Sequence, residues 1–342
     1  MPIVPYTPEM FPRLKQAIAS LSPENALHHR PFVDYYYTNN PWCRLYLFVQ
    51  DDDFISGIVG IEKMRFVTRS GEMITGFGSN YYSFKHGIGG ILFMKWMQEC
   101  PYSLVFGGSP DTHAIVQRMK WTYFTGVKIY LINRRVSHVK QDKFIKKAAK
   151  KIYGKVSPHF YRNIEELKSN IPAIDKDLCV TEEKDYSEDM LPEASPFSFR
   201  FAPTVDHLRW RYHTGLSFIR YRLYRILSSN KTLGYVILND SPEQVMVSHC
   251  DGLDPRTLAQ GALLSLVDCC RDDTRPRQVL LSSSHPDMQK IFEAFGFRSL
   301  SKDRPLALGS LKHKIDLSPD TSGWLVNFDW GDNGLRTPFL DQ

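Results

Sequence analysis

Three glycines in six residues, Lys85-His86-Gly87-Ile88-Gly89-Gly90, separate a run that reads as a strand from a run that reads as a helix. Upstream, residues 72–82 (EMITGFGSNYY) are rich in β-branched and aromatic side chains and predict a strand, with Gly76 and Gly78 weakening it or marking a bulge. Downstream, Ile91, Leu92, Met94, Trp96 and Met97 form a dense apolar face at helical spacing. Glycines let a backbone approach a ligand closely, and the first turn of a helix leaves N–H groups without an intrahelical partner. The helix dipole and the charges available to Lys85 and His86 make the junction suited to a phosphate or pyrophosphate. A tight strand-to-helix turn with no ligand would use the same glycines. The motif is not a P-loop, because no Gly-Lys-Ser/Thr closes it, and its glycine spacing is not the dinucleotide fingerprint.

The segments around this junction restrict the topology. Strand-like runs at 45–50 and 55–67 are joined by Asp51-Asp52-Asp53, a polar turn in which three acids serve a hairpin better than a metal. A second hairpin turn, Arg69-Ser70-Gly71, leads into the strand before the glycines. Successive hairpins imply a mainly antiparallel sheet and argue against a doubly wound dinucleotide fold. A helix over 90–99, a strand over 103–107, a helix over 112–119 and a strand over 124–132 follow. The second half repeats this order, with strands at 219–227, 233–238 and 244–250, a helix at 257–270, a strand at 278–282 and a helix at 287–295. The aromatic segment 201–212 (FAPTVDHLRWRY) stands where 32–42 (FVDYYYTNNPW) stood, and the latter reads as a core-facing helix. With 342 residues the chain accommodates two domains. The expected division is 1–135, a basic linker 136–175, and 176–342, each domain an α/β (α+β) unit with a mainly antiparallel mixed sheet flanked by helices.

Charge is placed unevenly. Of the net +6, residues 134–168 carry eleven Lys/Arg against three acids, so the remainder of the chain is close to neutral. Lys143, Lys146, Lys147, Lys150 and Lys151 read as the solvated face of a linker helix, with RNA contact as the less favoured use. The six cysteines show neither a C-x-x-C pair nor metal-ligand spacing, so no metal is expected, and Cys269-Cys270 reads as packing. Reduced thiols, the lack of a signal-peptide pattern and the lack of a membrane-length apolar run lead to a cytoplasmic expectation.

The succession of strand, glycine turn, helix, strand, helix and strand resembles the core of the Gcn5-related N-acetyltransferase (GNAT) superfamily. In that family the loop after the fourth strand reads Gln/Arg-x-x-Gly-x-Gly/Ala, and its amides hold the pyrophosphate of acetyl-CoA. Gly87 and Gly89 match the glycines, and Phe84 stands at the Gln/Arg position. The family's Tyr-x-x-x-Gly-Phe segment, whose Tyr can protonate the departing thiolate, aligns with Trp121 at the Phe and Val116 at the Tyr, so that acid is absent. The run FEAFGF at 292–297 resembles the same segment, while DGLDPRTLAQGALL, at the second loop position, has no paired glycines. The chain thus resembles two tandem GNAT-like domains of which only the first carries a CoA-type loop. The arrangement, with its WRY segment and its tail 324–332 (WLVNFDWGD), is similar to uncharacterised bacterial acyltransferase-like proteins.

The resemblance implies acyl transfer from acetyl-CoA or another acyl-CoA to an amine, such as an amino sugar, an amino acid or a carrier-bound amine. Asn80, Tyr82, Lys85, His86, Gly87, Ile88, Gly89 and Gly90 would then hold the cofactor, and backbone at Asn80–Tyr82 would polarise the thioester. An amine with a pKa near 10 needs a base. Glu72 is the expected one and Glu62 the second choice, with Tyr81 or Tyr82 as the acid. Two other readings stay open: a tRNA-dependent aminoacyl transferase of Fem type, and a non-catalytic binding protein that kept the fold.

Overall fold

The computed structural model describes residues 3–23, 25–50, 53–132, 164–171, 174–242, 244–273, 277–300 and 304–330. The basic run expected to form a linker helix lies almost entirely outside them, as do Asp51 and Asp52. The first half contributes β1 (Ile3–Pro5), α1 (Phe11–Ala17), α2 (Arg30–Tyr37), β2 (Cys43–Val49), β3 (Ile55–Thr68) and β4 (Gly71–Ser83). It continues with α3 (Ile88–Glu99), β5 (Tyr102–Phe106), α4 (Pro110–Arg118), β6 (Thr122–Phe124) and β7 (Lys128–Ile132). The second half contributes α5 (Ile164–Asn170), β8 (Leu178–Glu183), β9 (Phe199–Phe201), α6 (Val205–Arg211), β10 (Tyr221–Ser228), β11 (Lys231–Asp240) and β12 (Gln244–Gly252). It closes with α7 (Pro255–Cys270), β13 (Gln278–Ser283), α8 (Pro286–Phe295), β14 (Arg298–Ser299), β15 (Leu306–Gly309) and β16 (Trp324–Leu325).

The strands form two sheets. The first runs β1-β2-β3-β4-β5-β15-β6, with β9 beside the far end of β3 and β16 beside β9; the second runs β14-β7-β13-β12-β11-β10-β8. Both are mainly antiparallel with one central parallel pair, β4/β5 in the first and β12/β13 in the second. Each parallel pair is bridged by a helix, α3 or α7, packed on its sheet.

The halves exchange strands. β7 pairs antiparallel with β13 and β14, whereas β15 pairs antiparallel with β5 and β6. A division of the chain near residue 135 therefore leaves the first sheet with β9, β15 and β16 from the second half and the second sheet with β7 from the first. The run 124–132, expected as one strand, breaks at Thr125–Val127, where Gly126 has φ +93°. Its two parts enter different sheets.

The two equivalent aromatic segments pack on each other. Tyr35 and Tyr36 donate hydrogen bonds to the carbonyls of Trp210 and Arg211 at 2.8 and 3.1 Å, and Trp42 stacks near His207 and Trp210 with centroids 5.0 and 5.3 Å apart. This joint between the halves buries a large aromatic surface. Within that joint Arg211, completely buried, donates to Glu62 Oε2 at 2.6 Å and to the Asp329 carbonyl at 3.1 Å.

Candidate functional site

The parallel pair β4/β5 is short. Only Thr75–Phe77 of β4 align with Tyr102–Leu104 of β5, and β4 then runs on to Ser83 while β5 turns to β15 on its other edge. Beyond Phe77 the two strands separate, leaving an edge of β4 with backbone groups that no neighbouring strand takes up among the described residues. Gly78 lets α3 close under this opening: a Cβ there would lie 2.6 Å from the Trp96 ring, whose Nε1–H donates to the Gly76 carbonyl at 2.9 Å.

The expected irregularity in β4 is present two residues past the glycines. Register against β3 slips between Gly60↔Ser79 and Ile58↔Tyr82, so Asn80 and Tyr81 together oppose Val59. Asn80 takes φ +46°, a left-handed conformation held by its side-chain donation to Tyr37 Oη at 2.6 Å. The bulge also turns adjacent tyrosines to opposite faces. Tyr81 joins the cluster under α3 and its hydroxyl donates to the Gly89 carbonyl at 2.7 Å; burial pushes its pKa up to about 12. Tyr82 packs on the α1/α2 side, stacks parallel with Phe84 and accepts from Asn25 Nδ2 at 2.9 Å.

At the end of β4 the chain turns through Phe84, Lys85 and His86 into α3. Gly87 is the residue before the helix, with φ +83° and no side chain capping the first turn. A Cβ placed on Gly87 or Gly90 would meet nothing within 4 Å. Lys85 is steered back over the turn by a hydrogen bond to Gln50 Oε1 and a cation–π contact with Phe54 at 5.2 Å. The first turn of this twelve-residue helix has no side-chain cap, and the helix N-terminus carries the positive end of the dipole. Asn80, Tyr82, Lys85, His86, Gly87, Ile88, Gly89 and Gly90 thus follow one another along a single edge of the opening.

The two expected bases stand elsewhere. Glu72 begins β4 and is exposed, paired with Arg65 at 2.7 Å. Eight residues of extended strand put it about 26 Å from Asn80, because each residue advances roughly 3.3 Å. A sequence separation that would be short in a helix is a long distance here, and Glu72 does not reach the bulge. Glu62 lies nearer but is buried with both oxygens engaged, one by Arg211 and one by His207 Nε2 at 3.3 Å. Asn25, Tyr37 and Ser79, which surround the bulge, carried no signal in the sequence beyond polar side chains in a turn and an aromatic run.

The second sheet contains the matching opening, and it is filled. β12 aligns with β13 only over Gln244–Met246, and the register of β12 against β11 slips next to Ser248. The C-terminal segment lies along the separated strands. Asn327 Oδ1 accepts from Cys250 N–H at 3.1 Å while Nδ2 donates to the Cys250 carbonyl at 3.1 Å; Asp329 N–H donates to Ser248 O at 3.2 Å. From the other side, Ser282 and Ser284 hydroxyls donate to the carbonyls of Val326 and Trp324 at 2.9 and 3.2 Å. Helix α7 is capped as well, since Asp254 accepts from Thr257 N–H at 2.7 Å and places a carboxylate where a phosphate would otherwise sit.

Two sheets with a separated central parallel pair, a bulged strand and a bridging helix are the fold of the GNAT superfamily. A conserved protein of unknown function from Enterococcus faecalis V583, named a "Probable N-Acyltransferase", superposes with TM-score 0.52 and 10% identity over 90% of this chain and 71% of its own. A GCN5-related N-acetyltransferase from Anabaena variabilis ATCC 29413 gives 0.51 and 12% over 88% and 69%. A candidate acetyltransferase from Pyrococcus horikoshii gives 0.52 and 11% over 95% of this chain and 94% of its own. No family model matches the sequence, and no curated protein matches it. At these identities the likeness is one of fold. Among the described residues, no helix is long and apolar enough to cross a membrane.

Proposed function

We propose that the chain is an acyl-CoA-dependent N-acyltransferase whose first half binds the coenzyme. The observation that carries this reading is the continuous path from the unpaired edge of β4 to the uncapped, glycine-led start of α3. An extended pantetheine arm suits the edge, because amide groups of the arm can pair with strand N–H and C=O groups. The pyrophosphate suits the first turn of α3, with Lys85 adding charge. That placement brings the thioester to the bulge at Asn80–Tyr82.

There the amine nitrogen attacks the thioester carbon, the C–S bond breaks, and the sulfur leaves with the electron pair and takes a proton. A backbone N–H released by the bulge stabilises the developing oxyanion. Tyr82 suits the acid role better than Tyr81: it stands on the α1/α2 side beside Asn25, from which it accepts, whereas Tyr81 lies under α3 with its proton donated to Gly89. No carboxylate is assigned as base; the ammonium loses one proton to water before attack, the nitrogen of the tetrahedral adduct loses a second to water, and the tyrosinate left by protonation of the sulfur is reprotonated from water. The acyl group is most simply acetyl. The acceptor is a small amine, an amino sugar, amino acid or carrier-bound amine, entering from the α1/α2 side where Tyr82 and Asn25 stand.

The test is release of free thiol from acetyl-CoA against a panel of such amines. The reading predicts amine-dependent turnover in the wild type and a fall in kcat on the order of tenfold to a hundredfold in Tyr82→Phe with little change in KM for acetyl-CoA. Turnover unaffected by Tyr82→Phe would remove the tyrosine, and absence of turnover with every amine would favour a binding protein.

A further inference from the structure

A cavity of about 330 Å³ lies between the halves at the other end of β4, lined by Arg65 and Val67 of β3, by Arg200, the cross-strand partner of Val67 on β9, and by Asp251 of β12. Val67 pairs with Glu72 across β3/β4, so the cavity stands about 26 Å along β4 from the bulge by strand rise. It is separate from the acyl-CoA opening, and nothing said of it rests on acyl transfer.

The charged groups of its lining are two arginines and two carboxylates, and the arginines are held in place. Asp251 is 1% exposed; one oxygen accepts the Gly252 N–H at 2.8 Å and the other pairs with Arg200 Nη1. One carboxylate oxygen is anchored to the backbone and the other fixes a guanidinium whose side chain is 11% exposed. The Nε and Nη2 groups of that guanidinium make no hydrogen bond among the described residues. Arg65 is held similarly, with Nε donating to Ala202 O at 2.9 Å and Nη1 to Glu72 at 2.7 Å, which leaves Nη2.

Tyr235, also in the lining, adds a third donor. Asn327 Oδ1 accepts from Cys250 N–H, so its Nδ2 donates to His249 Nδ1 at 3.0 Å, and the imidazole, kept neutral by burial, carries its proton on Nε2. That nitrogen then donates to Tyr235 Oη at 3.0 Å, leaving the tyrosine proton for a further acceptor. The remaining lining is the apolar Val67, Leu191, Pro192, Ala202 and Pro203 with the exposed side chain of Glu193.

We propose that this cavity binds a small monocarboxylate with an apolar body, its two oxygens bidentate on Arg200 Nε and Nη2 and its hydrocarbon part against Val67, Leu191 and Pro203. A fixed planar fork with two adjacent donors matches the plane and spacing of a carboxylate. Asp251 is committed to Arg200 and the Gly252 N–H, and Glu193 is exposed, so an amine or neutral amide gains less from the fork than a carboxylate does. The volume is at the small end of ligand sites, about 300–1,000 Å³, which suits a body of a few carbons rather than a nucleotide.

Calorimetric titration of the full chain tests this with 4-methylpentanoate and phenylacetate as probes, and 4-methylpentanamide, isopentylamine and inorganic phosphate as controls. Saturable binding of the carboxylates is expected, with each control at least about tenfold weaker. Arg200→Lys, which keeps the charge and loses the fork, is expected to weaken binding at least about tenfold. Val67→Asp, which sets a competing carboxylate directly across from Arg200, is expected to do the same, with melting curves confirming that both variants are folded. Gly90→Glu, in the distant loop, is expected to leave carboxylate binding unchanged. No saturable binding up to about 20 mM, equal binding of the amide or of phosphate, or binding that survives both cavity substitutions would overturn the assignment.

Discussion

The openings beside β4 and beside β12 begin alike and end differently. In both, a central parallel pair holds for three residues and then separates past a bulge, and in both a helix starts at the wide end. Beside β4 the strand edge is left without a strand partner and α3 starts uncapped after a glycine in the left-handed region. Beside β12 the chain supplies its own substitute: Asn327 and Asp329 bond the strand as a ligand's amides would, and Asp254 satisfies the helix. The same backbone geometry thus leaves polar groups over beside β4 and has them consumed by the chain itself beside β12. That difference carries the assignment of coenzyme binding to the first half.

Asn327→Leu should have the largest effect. It leaves the Cys250 N–H and carbonyl and His249 Nδ1 buried without partners, at about 1–3 kcal/mol for each unsatisfied group after partial relaxation. Urea denaturation should record a loss of about 3–5 kcal/mol. Acyl-CoA affinity should not change by more than about twofold; a large loss would mean that the second opening takes part in coenzyme binding.

Gly90→Glu comes next. The site is open, so the fold tolerates the side chain, but the carboxylate meets the pyrophosphate. Repulsion at about 4 Å in a medium of effective dielectric near 20 is on the order of a few kcal/mol, so the dissociation constant for acetyl-CoA should rise about a hundredfold or more. The melting temperature should stay within a few degrees of wild type.

A smaller, pH-dependent effect belongs to Asp329 in the plug. Burial raises its pKa from 3.8 to about 8, against the pull of Arg211. The folded state therefore keeps a proton that the unfolded chain releases, and this group's contribution to stability falls as pH rises from about 4 to about 8, by up to about 1.4 kcal/mol per pH unit. Asp329→Asn should flatten that slope in chemical denaturation measured across pH 5 to 8. An unchanged slope would mean that Asp329 is ionised beside Arg211 and that the plug is held by a charge pair.

Much of this was legible in the sequence because it is local. Alternating strand runs, hairpin turns and helical apolar spacing located most elements within two residues, and the glycines located the loop. The long-range partnerships were not legible. Residues 124–132 read as one strand because nothing in their side chains specifies which sheet each part joins, and the exchange of β7 for β15 is decided by sheet edges far apart in sequence. Glu72 was expected near the thioester from its place on the right strand, yet an extended strand carries it away from the bulge. Tyr81 and Tyr82 looked interchangeable, and the two faces of the pleat gave one to α3 and the other to the acceptor side. The tail 324–330 carried no evident role because Asn327 finds its partner in Cys250, across a fold-back that composition does not encode.

The most direct test is the number of coenzyme molecules bound. Calorimetric titration of the full chain with acetyl-CoA should give one site per chain, lost in Gly90→Glu and kept in a folded Asp254→Ser variant. Two sites, or a single site that survives Gly90→Glu, would contradict the account.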